Sequence, residues 1–237
     1  AALGENPKRC YNQKKASPMT RMATAALLRE AFYKARAYGE KKNAAGAGGE
    51  APELDMGMEC LLEVLRGELP LKIHCHRADD IQTAIRIAEE FGISYTLDHC
   101  TEGYMMTDVL KAHNARCILG PILIGRPKIE MKNLSYSGAA VLERAGIEFA
   151  LSTDHPETPV QLLNVSAAYL VRNGLSEEAA LRAMTVNAAR ITGLDGRIGA
   201  VKEGLDADIV VFDGHPLDVR AKVLMTVING RVVYGGL

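Results

Sequence analysis

Leu71-Lys72-Ile73-His74-Cys75-His76-Arg77-Ala78-Asp79-Asp80 rises from an apolar run to a polar crest and hands over to a helix. In α/β proteins such a hand-over is the C-terminal edge of a strand, where ligands bind and chemistry is done. Two of the chain's six histidines stand there on alternate positions, so an extended strand points both to one side. Two later crests have the same character, Leu97-Asp98-His99 and Leu151-Ser152-Thr153-Asp154-His155.

Working outward, strand alternates with helix. A strand at 71–76 leads to a helix at 79–91, in which Ile81, Ala84, Ile85 and Ala88 keep the 3.6-residue period and Gly92 supplies the stop. Asp79 and Asp80 favour the positive end of that helix. Strands at 94–99, 116–124 and 147–153 are followed by helices at 104–113, 136–145 and 158–172. Helices at 176–184, with Ser176 as its cap, and 186–191 close this part. The short connections specify parallel strands, and strand starts recur every roughly 22 to 31 residues, within the range of a (β/α)8 unit. Upstream, residues 1–7 resemble the end of a strand and a turn, 8–20 a surface loop and 20–38 a helix facing inward with Met22, Ala26, Leu27, Ala31 and Ala35. Residues 40–50 carry too little apolar content and too much glycine to pack. A further helix is expected at 53–66, with Leu54, Met58, Leu61, Leu62 and Leu65 as its stripe. Beyond Arg197 come three short β-branched strands (207–213, 222–228, 231–234), with Asn229-Gly230 as a hairpin signal. The expected division is 1–195, a partial barrel, and 196–237, a small β piece.

With 237 residues, a net charge of -1 and 48% hydrophobic residues, the chain can bury a large core. Near-neutral charge gives no case for nucleic acid or an anionic membrane. No apolar segment approaches the roughly 18 residues of a membrane span, and the N-terminus lacks the pattern of a signal peptide. Five scattered cysteines suit a reducing compartment, so the cytoplasm is expected. The partner class is a small-molecule substrate, and a homo-oligomer is expected.

The crests bring imidazoles (His74, His76, His99) and a carboxylate (Asp154) to one edge of neighbouring strands. Imidazole nitrogen and carboxylate oxygen are the usual ligands of zinc and similar ions. Such an ion lowers the pKa of its bound water to about 7, and a carboxylate beside the water can take its proton and deliver it to a leaving amine. Any one histidine alone reads as an ordinary hydrogen-bonded residue; three like crests favour a site. His155 would point away from Asp154 on an extended strand and reads equally as a substrate contact or a structural residue. Arg77 and Arg126 stand on crest loops where they could clamp a carboxylate, or serve as plain surface residues. Cys75 and Cys100 adjoin candidate ligands; thiolate ligation is one reading, but adjacent strand positions face opposite sides, which favours small packing residues.

The tail carries a more specific signal. Met184-Thr185-Val186-Asn187-Ala188-Ala189-Arg190, then Gly196-Arg197-Ile198-Gly199, then Val201-Lys202-Glu203-Gly204-Leu205-Asp206-Ala207-Asp208 resembles the C-terminal signature of the amidohydrolase superfamily. With His74, His99 and Asp154 in the family's order, the resemblance covers the chain from Leu3 onward. In detail it is most similar to the imidazolonepropionase-like branch, which includes metal-dependent dipeptidases. The resemblance implies a (β/α)8 TIM barrel, here its strands four to eight, with part of a small β-sandwich. It implies hydrolysis of an amide or cyclic amide C–N bond in a small molecule or dipeptide, a deaminase or a non-catalytic scaffold relative being the alternatives. It implies one or two divalent ions, zinc before iron or manganese. His74 and Asp154 would be ligands, with Asp154 also handling the proton of the water. His99 would be a second-metal ligand or a polariser of the substrate carbonyl. Glu5, at the stub of strand four, would be a ligand or a substrate contact; no lysine at that crest argues against carbamylation. Placed on strand five, His76 falls on the pocket wall or behind a ligand; Arg77 and Arg126, on their crest loops, hint at an anionic end on the substrate, and His155 is a further candidate contact. The family's strand-one His-x-His has no counterpart, since His74-Cys75-His76 belongs to strand five. The expectation is therefore a C-terminal portion that needs an N-terminal segment to complete its barrel and need not be active by itself.

Overall fold

The computed structural model describes residues 1–46 and 49–236, in two compact units, residues 1–98 and 99–237, that divide at the last residue of one strand. The protein is mixed α/β with a parallel sheet.

In the first unit the expected strand end is present as a bridge, Ala2 pairing in parallel with His74. Leu3 N donates to His74 O at 2.9 Å and His74 N to Ala1 O at 3.0 Å. The loop expected at 8–20 is in part a helix, α1 (Glu5–Gln13), which buries none of its residues. It offers no apolar stripe, and without one the 3.6 period cannot be read.

Helix α2 (Arg21–Gly46) extends well past the predicted end. Its buried face is Thr24, Ala25, Phe32, Ala35 and Gly39, whereas Met22 of the expected stripe is 78% exposed. Residues 40–46 continue the helix; Ala47 and Gly48 of the expected unpacked stretch lie outside the described residues. The extension is tertiary in origin. Gly39 lies so close to α3 (Met56–Leu65) that an added Cβ would stand 2.8 Å from Leu62 Cδ2. From α2, Tyr38 Oη and Lys42 Nζ both reach Glu59 on α3, at 2.6 and 2.5 Å. Asp55 caps α3 by accepting from Gly57 N and Met58 N; Leu54, expected on its stripe, is exposed.

Strand β1 (Leu71–Cys75), helix α4 (Ala78–Phe91) and strand β2 (Tyr95–His99) follow as the alternation requires. Gly92, at φ 67°, ends α4 in the left-handed conformation that glycine tolerates. The core between helices and strands gathers Ala25, Phe32, Val64, Ile87, Ala88, Phe91 and Ile93. Each large side chain so buried contributes about 1.5–3 kcal/mol.

The second unit contains α5 (Thr107–Ala112), β3 (Cys117–Leu119), α6 (Gly138–Arg144), β4 (Phe149–Leu151), α7 (Leu163–Arg172), α8 (Glu177–Met184) and α9 (Val186–Thr192). β3 and β4 run parallel with Cys117, Ile118 and Leu119 opposite Phe149, Ala150 and Leu151. Both are shorter than the sequence suggests; β3 ends where Gly120, at φ 138°, turns the chain. Ile191 of α9 packs on Ile118 and Ala150. A second sheet, in the order β5 (Ile209–Phe212), β6 (Val223–Ile228), β7 (Arg231–Gly235), is antiparallel. Asn229 (φ 49°) and Gly230 (φ 73°) form the tight turn between β6 and β7, as the dipeptide predicts.

Candidate metal centre

Along β1, Ile73 and Cys75 are buried on one face and His74 stands on the other, with His76 following at the same phase. Their rings meet edge to face with centroids 4.8 Å apart. His99, the last residue of β2, completes a group: one ring nitrogen from each of His74, His76 and His99 lies within 4.8 Å of the others. Among the described residues this is the group of three or more potential metal-ligating side chains, and it takes in neither Asp154 nor Glu5.

His99 is held firmly. Its Nδ1 lies 2.6 Å from the Gly120 carbonyl oxygen. A carbonyl only accepts, so Nδ1 carries a proton, and in the neutral ring Nε2 keeps the lone pair. His99 (φ 73°) and Cys100 (φ 45°) both have left-handed backbones, uncommon without glycine and characteristic of functional corners. Gly120 is obligatory: a Cβ there would come 1.8 Å from the Ser152 carbonyl oxygen. A ligating imidazole whose other N–H is anchored on a backbone carbonyl is the usual arrangement at a metal. Three imidazoles with one so anchored suit a divalent ion such as zinc.

The other expected site residues have the following surroundings. Asp154, exposed and at φ 52°, opens a tight turn in which its carbonyl accepts from Glu157 N. His155 is exposed, its Nδ1 accepting from Val160 N at 3.3 Å. Arg77 forms a bidentate pair with Asp79, Nε and Nη2 each 2.9 Å from a carboxylate oxygen. Partial burial pushes the Asp79 carboxyl up, but Arg77's hydrogen bonds and charge, with Arg21 behind, hold it below the usual range. Arg126 donates from Nη2 to Leu134 O at 2.8 Å, which ties its head group to its own loop. Glu5 begins α1, and the amide nitrogen of the next residue, Asn6, lies 3.3 Å from His74 Nε2. Sequence reasoning missed Asn6, because an asparagine in a polar stretch carries no pattern. It also missed Gly120, although Gly120-Pro121 at the end of a strand marks a turn.

A small cavity of about 40 Å³ adjoins His99, lined by Tyr104, Gly120, Leu134, Gly138 and Leu170 among others. A water needs about 10–15 Å³ of such volume, so a few waters or one small group would fill it.

A family description, the amidohydrolase family, matches residues 59–234. The amidohydrolase tasK of Hapsidospora irregularis is 29% identical over 254 residues, covering 98% of this chain and 25% of that protein. The imidazolonepropionase of Maricaulis maris (strain MCS10) is 29% identical over 171 residues, 70% of this chain and 41% of the relative. The crystal structure of an amidohydrolase from Thermotoga maritima MSB8 superposes with a TM-score of 0.96 at 44% identity, covering 99% of this chain and 62% of that one. The chain thus spans less than two thirds of the length of these relatives. The match takes in β1 to β4, the helices between them and the small sheet, and on it the chain belongs to the amidohydrolase family.

Proposed function

We propose that the chain carries the catalytic edge of a metal-dependent amidohydrolase that hydrolyses an amide or cyclic amide bond in a small molecule or dipeptide. The observation that carries this reading is the meeting of three imidazoles at the ends of β1 and β2. His74, His76 and His99 would hold a divalent ion, zinc before iron or manganese. Such an ion supplies a water of lowered pKa, about 7, and a polarised carbonyl.

The residues do the rest. Gly120 fixes the ring of His99, so its Nε2 is presented in one orientation. Asp154 accepts a proton from the attacking water and returns it to the departing nitrogen, so that one water is consumed and an acid and an amine are released. In this reading β1–β4 are strands five to eight of an eight-stranded barrel, the segment around Ala2 is the end of strand four, and an N-terminal segment contributes strands one to three. In this reading the whole protein acts in the cytoplasm, where cysteine thiols remain reduced. Among the described residues no helix is long and apolar enough to cross a membrane.

The test uses the longest natural form of the protein, purified with its metal measured by mass spectrometry. A panel of dipeptides, cyclic amides and aminoheterocycles is assayed for acid and for ammonia. Wild type should contain a divalent ion and release acid from an amide. Asp154→Asn should keep the fold and metal while turnover falls about 10³-fold or more. Near-wild-type turnover in that variant would overturn the mechanism, and ammonia release from an aminoheterocycle would make the protein a deaminase.

A further inference from the structure

Cys100 and Cys117 carry thiols, and both are buried, at 2% and 0% exposure. The Cys100 thiol donates to Cys117 Sγ across 3.7 Å. Local backbone brings the two together. His99 and Cys100 are left-handed, at φ 73° and 45°, so the alternation of an extended strand ends there. Gly103 N then donates to the Cys100 carbonyl at 2.9 Å and closes a tight corner. Gly103 leaves the sulfur its room, since a Cβ there would stand 2.5 Å from Cys100 Sγ. Cys117, the first residue of β3, holds its own sulfur 3.8 Å from the Ala115 carbonyl oxygen.

A disulfide sets its sulfurs about 2.05 Å apart, so this pair has roughly 1.7 Å to close. Burial in an apolar setting keeps most reagents from a thiol. Cys100 is open to a small one, because it lines the cavity of about 40 Å³ beside His99. That space takes a few waters, and hydrogen peroxide is little larger than water.

We propose that Cys100 and Cys117 form a peroxide-sensitive dithiol, in which Cys100 reacts first and Cys117 resolves it. The Cys100 sulfur attacks one oxygen of hydrogen peroxide, the O–O bond breaks, and a sulfenic acid and one water result. The Cys117 sulfur then attacks the Cys100 sulfur, and the S–O bond breaks. A second water leaves with the Cys117 proton, and the disulfide remains. Two thiols are oxidised while one peroxide is reduced to two waters. A thiol reductant reverses the bond, as suits a compartment where disulfides are transient. Cys100 directly follows His99, so the bond forms beside the imidazole anchored on Gly120.

The longest natural form of the protein is treated with hydrogen peroxide, its remaining thiols are alkylated on unfolding, and its peptides are mapped by mass spectrometry. A cross-link between the peptides of Cys100 and Cys117 is expected, lost on treatment with dithiothreitol. Peroxide-treated Cys117→Ser, unfolded in dimedone, should carry the label on Cys100, whereas Cys100→Ser should keep Cys117 as a thiol. The exposed Cys10 and Cys60 report that the peroxide has acted. Thermal melts check that the variants fold, and the wild-type map decides the matter where they do not. Oxidation of Cys10 and Cys60 with Cys100 and Cys117 still thiols overturns the proposal, as does a bond from Cys100 to any other cysteine. A label on Cys117 in Cys100→Ser, with none on Cys100 in Cys117→Ser, overturns the assigned order.

Discussion

His99 holds its Nδ1 2.6 Å from the carbonyl oxygen of Gly120, and Gly120 can stand there only because it has no Cβ. The ring orientation at the end of β2 therefore depends on a backbone position whose own neighbour, the Ser152 carbonyl, leaves no room for a side chain. Gly120→Ala would place a Cβ 1.8 Å from that oxygen, on a residue at φ 138°. Backbone contacts of this kind do not relax cheaply, so the expected cost is about 3 kcal/mol or more. Urea unfolding measures it. An unchanged midpoint would mean that the close approach of Gly120 to Ser152 is not what shapes this corner.

The ion pair between Arg21 and Asp80 ties α2 to α4. Arg21 Nε lies 3.0 Å from both carboxylate oxygens, and the Asp80 side chain is 3% exposed. Removing the arginine takes a charged partner from a carboxylate that is kept from water. Breaking a buried pair from one side costs about 3–5 kcal/mol, and Arg21→Met should fall at the lower end because the arginine is itself partly exposed. Arg21→Lys keeps the charge but not the planar guanidinium and should lose less. Thermal unfolding separates the two variants; a loss below about 1 kcal/mol in Arg21→Met would contradict the assignment.

The alternation through β1, α4 and β2 is legible because each element keeps its own hydrophobic period, from Ile73 and Cys75 on one face of β1 to Ile81, Ala84, Ile85 and Ala88 on α4. The same period of two places His74 and His76 on one side of β1, which is why the crest could be picked out as a site. What the pattern hides is contact across elements. Helix α1 buries nothing, and α2 persists beyond residue 38 through Gly39 against Leu62 and through Glu59, none of which is local information. His76 reads as a wall residue by family order, yet its ring lies within the cluster. Asn6 becomes visible only when the pairing of Ala2 with His74 is known.

Near the C-terminus, Arg220 wraps the Asp218 carboxylate with Nε at 3.0 Å and Nη2 at 2.7 Å, and its backbone N–H adds a third bond at 2.9 Å. The Arg220 side chain first, and then the backbone N–H, bring the Asp218 carboxyl down to about 2. A folded pKa below the unfolded one stabilises the native state above the ordinary carboxylate range, and the contribution fades as the pH falls toward 2. The pair is exposed, so its effect on stability is small and weakens with salt. Carbon-13 NMR should show Asp218 titrating near 2 in the wild type and near the ordinary carboxylate value in Arg220→Ala. Identical titration curves in the two proteins would refute the attribution.

The turn between β6 and β7 offers a test of whether the small sheet depends on one dipeptide. Asn229 and Gly230 are both left-handed, at φ 49° and 73°, the backbone of a two-residue turn whose twist matches the flanking strands. Asparagine tolerates that region better than other non-glycine residues, and glycine enters it freely. The turn is also tied to the residues just before β5: Gly230 N donates to Ala207 O at 3.1 Å and Asn229 N to Asp208 Oδ1 at 2.8 Å. Gly230→Val therefore faces a left-handed penalty of about 1–2 kcal/mol at its own residue. Any relaxation of φ pulls two hydrogen bonds out of line as well. Because β5–β7 form a sheet of their own, the damage should remain there. Hydrogen exchange should accelerate at the amides of β6 and β7 by about 10-fold while those of β3 and β4 exchange as in wild type. Equal acceleration in both sheets would show that the second unit opens as one cooperative body, and no acceleration would show that the strands pair without help from their turn.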